Sequence, residues 1–248
     1  MRRENISLIV AASGNAVRFG GFPKAFCTIG REMNIERTIG YFKPYAAHIY
    51  VIVNEKTYKQ YQGQVRGCEL IPIVTGQGDA HSLLKGLQKI HTLNEFFVCW
   101  GDAVFLSDCL IRHLLKAAAG IGEQSIGISV CSLDKKPYAW FEADGKYIKK
   151  TYFAGKDGFQ DEGIHDQSLF YFKDGSLAGL LEEYRNKLGI TESADTSGGC
   201  EMKLLHAFEY FYRKGRPMEY ILAESGHVMS FNTKEELSCI EKKIRLCQ

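Results

Sequence analysis

The feature that most constrains the fold is an alternation. Short apolar runs, "ISLIVAA", "AHIYVIVN", "ELIPIV", "EFFVCWG" and "SIGISVC", are separated by longer segments of helical period. Val, Ile and Phe dominate the runs, whereas "NIERTIGYF", "AHSLLKGLQKI" and "DCLIRHLLKAAAG" repeat apolar residues at three- and four-residue spacings. Parallel strands cannot be joined by tight turns and need crossovers, usually helical, so this pattern spells βαβ units. The expected class is α/β, with a Rossmann-like, mixed but mostly parallel sheet flanked by helices. After about residue 134 the texture changes. In "YAWFEADGKYIKKTYF" the Asp144-Gly145 pair stands between aromatic and β-branched residues, a hairpin signal that predicts a small β-rich excursion. A strand at "SLFYF", helices around "LAGLLEEYRNKL" and "CEMKLLHAFEYFYRKG", a strand pair near "MEYILAE" and "HVMSF", and a terminal helix from Lys234 complete the reading.

Nothing breaks the chain into separate domains: there is no internal repeat, low-complexity tract or long linker, and 248 residues suit one compact unit. Lys plus Arg number 31 against 29 Asp plus Glu, so the net charge of +2 offers no whole-protein field for nucleic acid or an anionic membrane. Any anionic ligand must be met by a local cluster. The eight cysteines, Cys27, Cys68, Cys99, Cys109, Cys131, Cys200, Cys239 and Cys247, form no C-x-x-C pair and no zinc spacing, and several lie inside apolar runs. They read as reduced thiols of a cytoplasmic protein. The opening "MRRENISLIVAAS" mimics a secretory signal, but Glu4 and Asn5 interrupt it and the apolar run is short. No stretch approaches the ~20 apolar residues of a membrane span. A homo-oligomer is left open.

The candidate chemistry starts at "LIVAASGNAVRFGGFPKAF", Leu8 to Phe26. Small residues after a strand let a ligand reach backbone N–H groups, and a following helix start adds partial positive charge, a combination suited to phosphate. Arg18 can clamp phosphate oxygens with two parallel hydrogen bonds, and Lys24 adds a compact charge. An ordinary βα turn carrying two surface cations accounts for the same residues.

This stretch resembles the signature of the nucleotidyltransferase superfamily with a glycosyltransferase-A-like fold, A-A-G-x-G-x-R followed by P-K. The match runs Ala12-Ser13-Gly14-Asn15-Ala16-Val17-Arg18, then Pro23-Lys24, with Ser13 replacing an alanine and Ala16 a glycine. Alanine resists the positive φ a glycine would take there. "TGQGDAHSLLKGL" resembles the superfamily's base-recognition loop in two forms, that of sugar-phosphate uridylyltransferases and that of methylerythritol phosphate cytidylyltransferases. The loop residues are Gly76, Gln77, Gly78, Asp79 and Ser82. A helix cap formed by Asp79 or Ser82 is the plainer account. In "FFVCWGDAVFLS", Gly101-Asp102 resembles the step whose aspartate holds magnesium; a strand-exit turn also favours Asp. "HVMSFNTKEELSCIEKKI" resembles the closing strand, turn and helix, which makes Asn232 the second metal ligand, while Asn232 or Thr233 with Glu235 or Glu236 also fits a helix cap. In "GFQDEGIHDQSLFYF" and "GGCEMKLLHAF", Asp166, Gln167 and Glu201 stand where sugar-phosphate members contact the acceptor.

The resemblance implies a nucleotide-diphospho-sugar transferase-like fold, with residues 1–133 as the nucleotide-binding half and 134–248 as the acceptor-binding half. It implies an Mg²⁺-dependent nucleotidyltransferase that moves a nucleoside monophosphate from CTP or UTP to a small phosphorylated acceptor, such as a sugar 1-phosphate, a polyol phosphate or phosphocholine, as in polysaccharide biosynthesis. Two other readings stand beside it. A glycosyltransferase of the same fold would use Asp-x-Asp, whereas Asp102 is followed by Ala103 and Val104. Against a regulatory domain that binds nucleotide without chemistry stands the retention of Arg18, Lys24 and Asp102, loss of any one of which would favour it.

Overall fold

A computed structural model describes residues 6–90, 93–191 and 201–246. Arg2, Arg3, Glu4 and Asn5 of the signal-like opening, and Cys200 and Cys247, lie outside them. In chain order the elements are β1 (Ser7–Ala11), β2 (Thr28–Ile29), β3 (Glu32–Met33), α1 (Asn34–Phe42), β4 (His48–Asn54), α2 (Glu55–Tyr61), β5 (Glu69–Ile73), α3 (Asp79–Leu87), β6 (Phe96–Trp100), β7 (Ala103–Phe105) and α4 (Cys109–Ala118). The second half adds β8 (Gly127–Lys135), β9 (Ala139–Asp144), β10 (Tyr147–Phe153), α5 (Ala154–Asp157), β11 (Glu162–Phe172), α6 (Ser176–Lys187), α7 (Leu204–Arg213), β12 (Met218–Leu222), β13 (Val228–Ser230) and α8 (Lys234–Leu246).

Nine strands form one mixed sheet in the order β5-β4-β1-β6-β11-β8-β12-β10-β9. Pairing is parallel across β5, β4, β1 and β6 and between β8 and β12; β11 runs antiparallel to β6 and β8. The chain leaves β1 to build β4 and β5 on one side, then returns to lay β6 on the other. That reversal puts a topological switch point between β1 and β6, and open α/β sheets bind ligands beyond the strand ends there. The Asp144-Gly145 signal forms the β9–β10 hairpin, with Gly145 at φ +58°. β9 also meets β11 at Phe141–Ile164, so β11, β8, β12, β10 and β9 make a closed circuit of pairings. β12 and β13 do not pair with each other: both edges of β12 are taken by β8 and β10, and β13 joins β7.

Strand alternation sorts side chains onto two faces. Ile9, Phe96, Val98, Phe170 and Phe172 pack with α3, α6 and α7; Leu8, Val10, Phe97, Cys99 and Tyr171 pack with α1, α2 and α4. Each helix offers one stripe: Ile35, Ile39 and Phe42 on α1, and Leu110, Ile111, Leu114 and Ala118 on α4, are buried. A third, smaller core of Phe19, Ile29, Val104, Phe231, Ile240 and Ile244 seats α8 beneath the switch point. Among the described residues, no helix is long and apolar enough to cross a membrane, and Cys27, Cys68, Cys99, Cys109, Cys131 and Cys239 are free thiols.

Candidate active site

At the end of β1 the sheet continues for one more step, Ala12 N–H donating to Ile52 O at 2.9 Å, before the chain turns. Asn54 fixes that turn from β4 by donating to Ser13 O at 3.2 Å. Gly14 and Asn15 are then exposed, and Ala16 adopts φ +47°, ψ +40°. The alanine therefore accepts the left-handed geometry that a glycine would take freely. Its carbonyl receives the N–H groups of Phe19 and Gly21 at 2.8 and 3.0 Å, which closes a short 3₁₀ turn over Val17–Phe19. Phe19 points down to an edge contact with Phe231 at 5.4 Å between ring centroids, and Arg18 stays exposed at the cleft.

A second 3₁₀ turn, Lys24–Phe26, follows and sets Lys24 over the switch point. Its Nζ donates to Asp102 Oδ2 at 2.7 Å and to Asn232 Oδ1 at 2.9 Å. Three residues from distant parts of the sequence thus meet at one point. Two registers bring them there. Gly101 N–H bonds Ala11 O at 2.9 Å, carrying β6 alongside β1, and a Cβ at Gly101 would come within 2.7 Å of the Ala12 Cβ. β7 pairs with β13 so that Ala103 faces Ser230, which sets Asp102 beside Phe231 and Asn232. The cap of α8 is Thr233: its Oγ1 accepts from Glu236 N at 3.2 Å, and Glu236 Oε2 accepts from Thr233 N at 3.0 Å and from Asn232 N. The capping arrangement exists, and the Asn232 side chain is left to the cleft.

The loop after β5 forms the opposite wall. Ser82 Oγ accepts from Gly76 N at 3.0 Å, and Gln77 N–H donates to His81 Nδ1 at 3.1 Å. Gly78 has φ +108°, and a Cβ there would meet Met202 O at 2.3 Å, so only glycine lets the two segments touch. Gln77 O accepts from Met202 N at 2.8 Å, Ala80 N donates to Met202 O at 3.1 Å, and Asp79 Oδ1 accepts from Leu204 N at 2.7 Å. Asp79 therefore caps α7 rather than its own helix. Desolvation by the protein around it pushes its carboxyl up to about 6, although one side is open to the cleft, where solvent weakens such a shift.

The cleft has a volume of about 620 Å³. It gathers Ala12, Ser13, Gly14, Asn15, Arg18, Lys24, Gly76, Gly78, Asp79, Ser82, Asp102, Glu201 and Asn232. Three residues singled out from the sequence are not on its lining. Gln77 turns its backbone to Met202. Asp166 and Gln167 are buried at an irregularity of β11: Asp166 Oδ2 accepts from Ser168 N at 3.1 Å, Ser168 having φ +57°, and Gln167 Nε2 donates to Ser132 Oγ at 2.6 Å. Burial raises the Asp166 carboxyl, against His165 and the Ser168 N–H, which act to lower it. Glu201, paired with Lys203 at 3.4 Å, is exposed at the cleft rim. Sequence reasoning passed over Trp100, which lines the cleft from the last position of β6 and stacks edge-on against Phe170 at 5.6 Å. Its signal was its place directly before Gly101-Asp102.

A sheet that reverses between β1 and β6, with a glycine-containing turn and a convergent lysine, aspartate and asparagine at the reversal, has the architecture of nucleotide-diphospho-sugar transferase-like proteins. The chain belongs to the MobA-like NTP transferase domain family, whose sequence profile matches residues 8–185. Nucleotidyl transfer is thus the general chemistry of its class. Among solved structures it is similar to the nucleoside-diphosphate-sugar pyrophosphorylase from Vibrio cholerae RC9, at 15% identity and a TM-score of 0.65 over 95% of this chain and 99% of that one. It is also similar to a protein provisionally assigned as a glucose-1-phosphate thymidylyltransferase from Bacillus anthracis, at 14% identity and 0.72 over 97% and 95%. The inositol-1-phosphate CTP transferase from T. maritima aligns at 14% identity and 0.68 over 99% and 97%. At such identities the likeness is one of fold. A search of curated proteins finds no match.

Proposed function

We propose that this protein is a cytidylyl- or uridylyltransferase that moves a nucleoside monophosphate from CTP or UTP to a small phosphorylated acceptor, a sugar 1-phosphate, polyol phosphate or phosphocholine-like molecule, and works in the cytoplasm. An acceptor phosphate oxygen attacks the α-phosphorus; the bond from that phosphorus to the bridging oxygen breaks, and pyrophosphate leaves with the electron pair. No covalent enzyme intermediate is needed, so catalysis consists of positioning and of stabilising negative charge. The Gly14 turn and Arg18 bind the β- and γ-phosphates, Lys24 faces the α-phosphate, and the loop around Gly76, Gly78 and Ser82 reads the base.

The observation that carries this reading is the meeting of Lys24, Asp102 and Asn232 beside the bare turn after β1. Asp102 and Asn232 suit Mg²⁺. Both direct an oxygen at the same ammonium group, so they already face one cation. Among the described residues no group of three or more His, Cys, Asp or Glu converges on a point, which leaves the remaining coordination to phosphate oxygens and water, as Mg²⁺ favours. When bound, the ion would neutralise charge on the phosphates. Residues 1–133 serve the nucleotide and residues 134–248 the acceptor, with Glu201 at the junction. Asp166 and Gln167 support the sheet behind it. The test is pyrophosphate release over CTP, UTP, dTTP, GTP and ATP against phosphorylated sugars, polyols and amino alcohols. Release with GTP or ATP alone would refute the pyrimidine assignment.

A further inference from the structure

Asn34, the first residue of α1, is 1% exposed and does not itself line the cleft, but it bonds the backbone of Gly101, which does. Its Nδ2 group donates to Gly101 O at 3.2 Å and to Ala103 O at 3.0 Å, the two carbonyls that flank Asp102. Its backbone N–H donates to Cys27 O at 2.9 Å, immediately after the 3₁₀ turn that carries Lys24. One residue therefore ties the Lys24 turn to the Asp102 turn. Thr38 Oγ1 in turn bonds Asn34 O at 3.1 Å, which anchors this residue to the helix behind it.

We infer that Asn34 is a positioning residue that sets the direction of the Asp102 carboxylate and its spacing from Lys24. The chemistry of the side chain argues for this. A primary amide is the smallest uncharged group that carries two diverging hydrogens, and the carbonyls of Gly101 and Ala103, on either side of Asp102, take one each. Serine supplies one hydrogen, and lysine would bring a charge beside Asp102. The acceptor half of the amide is unused: Asn34 Oδ1 is buried with no hydrogen-bond partner among the described residues. A buried unpaired acceptor is unfavourable, so the position tolerates a defect on one side of the amide while using both donors on the other.

The inference rests on the assignment of Asp102 as a cation ligand, and three variants separate the two. Mn²⁺ binding by the unliganded protein, read by electron paramagnetic resonance, and turnover against magnesium concentration are compared for wild type, Asp102→Asn, Asn34→Asp and Asn34→Ser. Asn34→Asp keeps the shape but loses both hydrogens; Asn34→Ser keeps one donor and serves where the aspartate variant does not fold. The expected result is Mn²⁺ affinity and kcat both reduced about tenfold or more in the Asn34 variants, as is usual for groups that orient metal ligands, with nucleotide KM changed much less. A lowered melting temperature with unchanged Mn²⁺ affinity and kcat in the Asn34 variants, alongside a collapsed Asp102→Asn, overturns this inference alone. Unchanged Mn²⁺ binding in Asp102→Asn overturns the cation-ligand assignment and this inference with it.

Discussion

Lys24 Nζ lies 2.7 Å from Asp102 Oδ2, an ion pair between residues 78 apart in sequence, with side chains 16% and 27% exposed. A cation held at the mouth of a parallel sheet by a carboxylate and an amide oxygen has little freedom left to lose when a phosphate arrives. In the proposed reaction such preorganisation would place charge where it develops in the transition state.

Lys24→Ala should therefore act mainly on turnover. A loss of about 10²- to 10³-fold in kcat is typical for one such donor, and steady-state pyrophosphate release measures it. Normal turnover would remove Lys24 from the chemistry.

Asn232 and Thr233 are adjacent and both donate their backbone N–H to Glu236, but their side chains hold different partners, Lys24 and Glu236 N, so their variants should separate. Thr233→Ala removes the Glu236 cap of α8 and should cost about 1 kcal/mol of stability with activity retained. Asn232→Ala should leave the melt nearly unchanged and weaken magnesium-dependent turnover. Thermal melts and magnesium titrations of both variants check the split; a reversed pattern would show that the ligand is misassigned.

Under the proposed function, base selectivity would come from the wall between Gly76 and Ser82. Its backbone is held in one shape by bonds to Ser82, His81 and Met202, so a base of the wrong size meets a wall that does not adjust to it. Calorimetry should find CTP or UTP binding more tightly than ATP or GTP, and equal or tighter purine binding would contradict it.

Glu219 links acid sensitivity to a single buried carboxylate. Burial acts to raise its pKa, but Ser125 Oγ at 2.6 Å, Lys146 Nζ at 2.9 Å and Gly122 N at 2.8 Å together hold it below the usual range. A carboxyl lowered in the folded state contributes stability that is fully present above its unfolded value, about 4.3, and is lost as pH falls through the folded value. Glu219→Gln should be less stable at pH 7, and the gap from wild type should close below about pH 4. Urea unfolding at both pH values measures it; a gap that widens in acid would reverse the sign.

Ala16 sits at φ +47° in the turn after β1. Left-handed backbone costs a non-glycine residue roughly 1–2 kcal/mol, partly offset by the greater freedom glycine has when unfolded. Ala16→Gly should stabilise the protein by up to about 1 kcal/mol in denaturant melts; a loss of stability would show that the turn gains something specific from the methyl group.

The sheet was legible in the sequence because its signals are local. "NIERTIGYF" coincides with α1 to the residue, and the five apolar runs of the first half are β1, β4, β5, β6 and β8. Lys24, Asp102 and Asn232 were legible because each follows a strand or opens a turn in a recognisable pattern. That Asp102 and Asn232 meet was implied only by the resemblance; what brings them together, the register of Ala103 with Ser230, was not legible. The role of Asp79 was also hidden: capping looks local in sequence, yet this carboxylate reaches Leu204, 125 residues away. Asp166 and Gln167 were placed as acceptor contacts by the resemblance alone; β11 extends back to Glu162 and buries both, a burial no local signal announces. Asn34 opens the "NIERTIGYF" run, and only the fold reveals which carbonyls its side chain meets.

The strand register has a consequence for how the molecule is made. β12 is wedged between β8 and β10, and β13 is the partner of β7, so these two strands complete pairings with strands made much earlier. While a nascent chain is still emerging from the ribosome, Lys24 and Asp102 can come together but Asn232 cannot join them. The cleft is finished only once β13 and Asn232 have been made, so a shorter nascent polypeptide carries the turn after β1 without the complete set of groups proposed to use it.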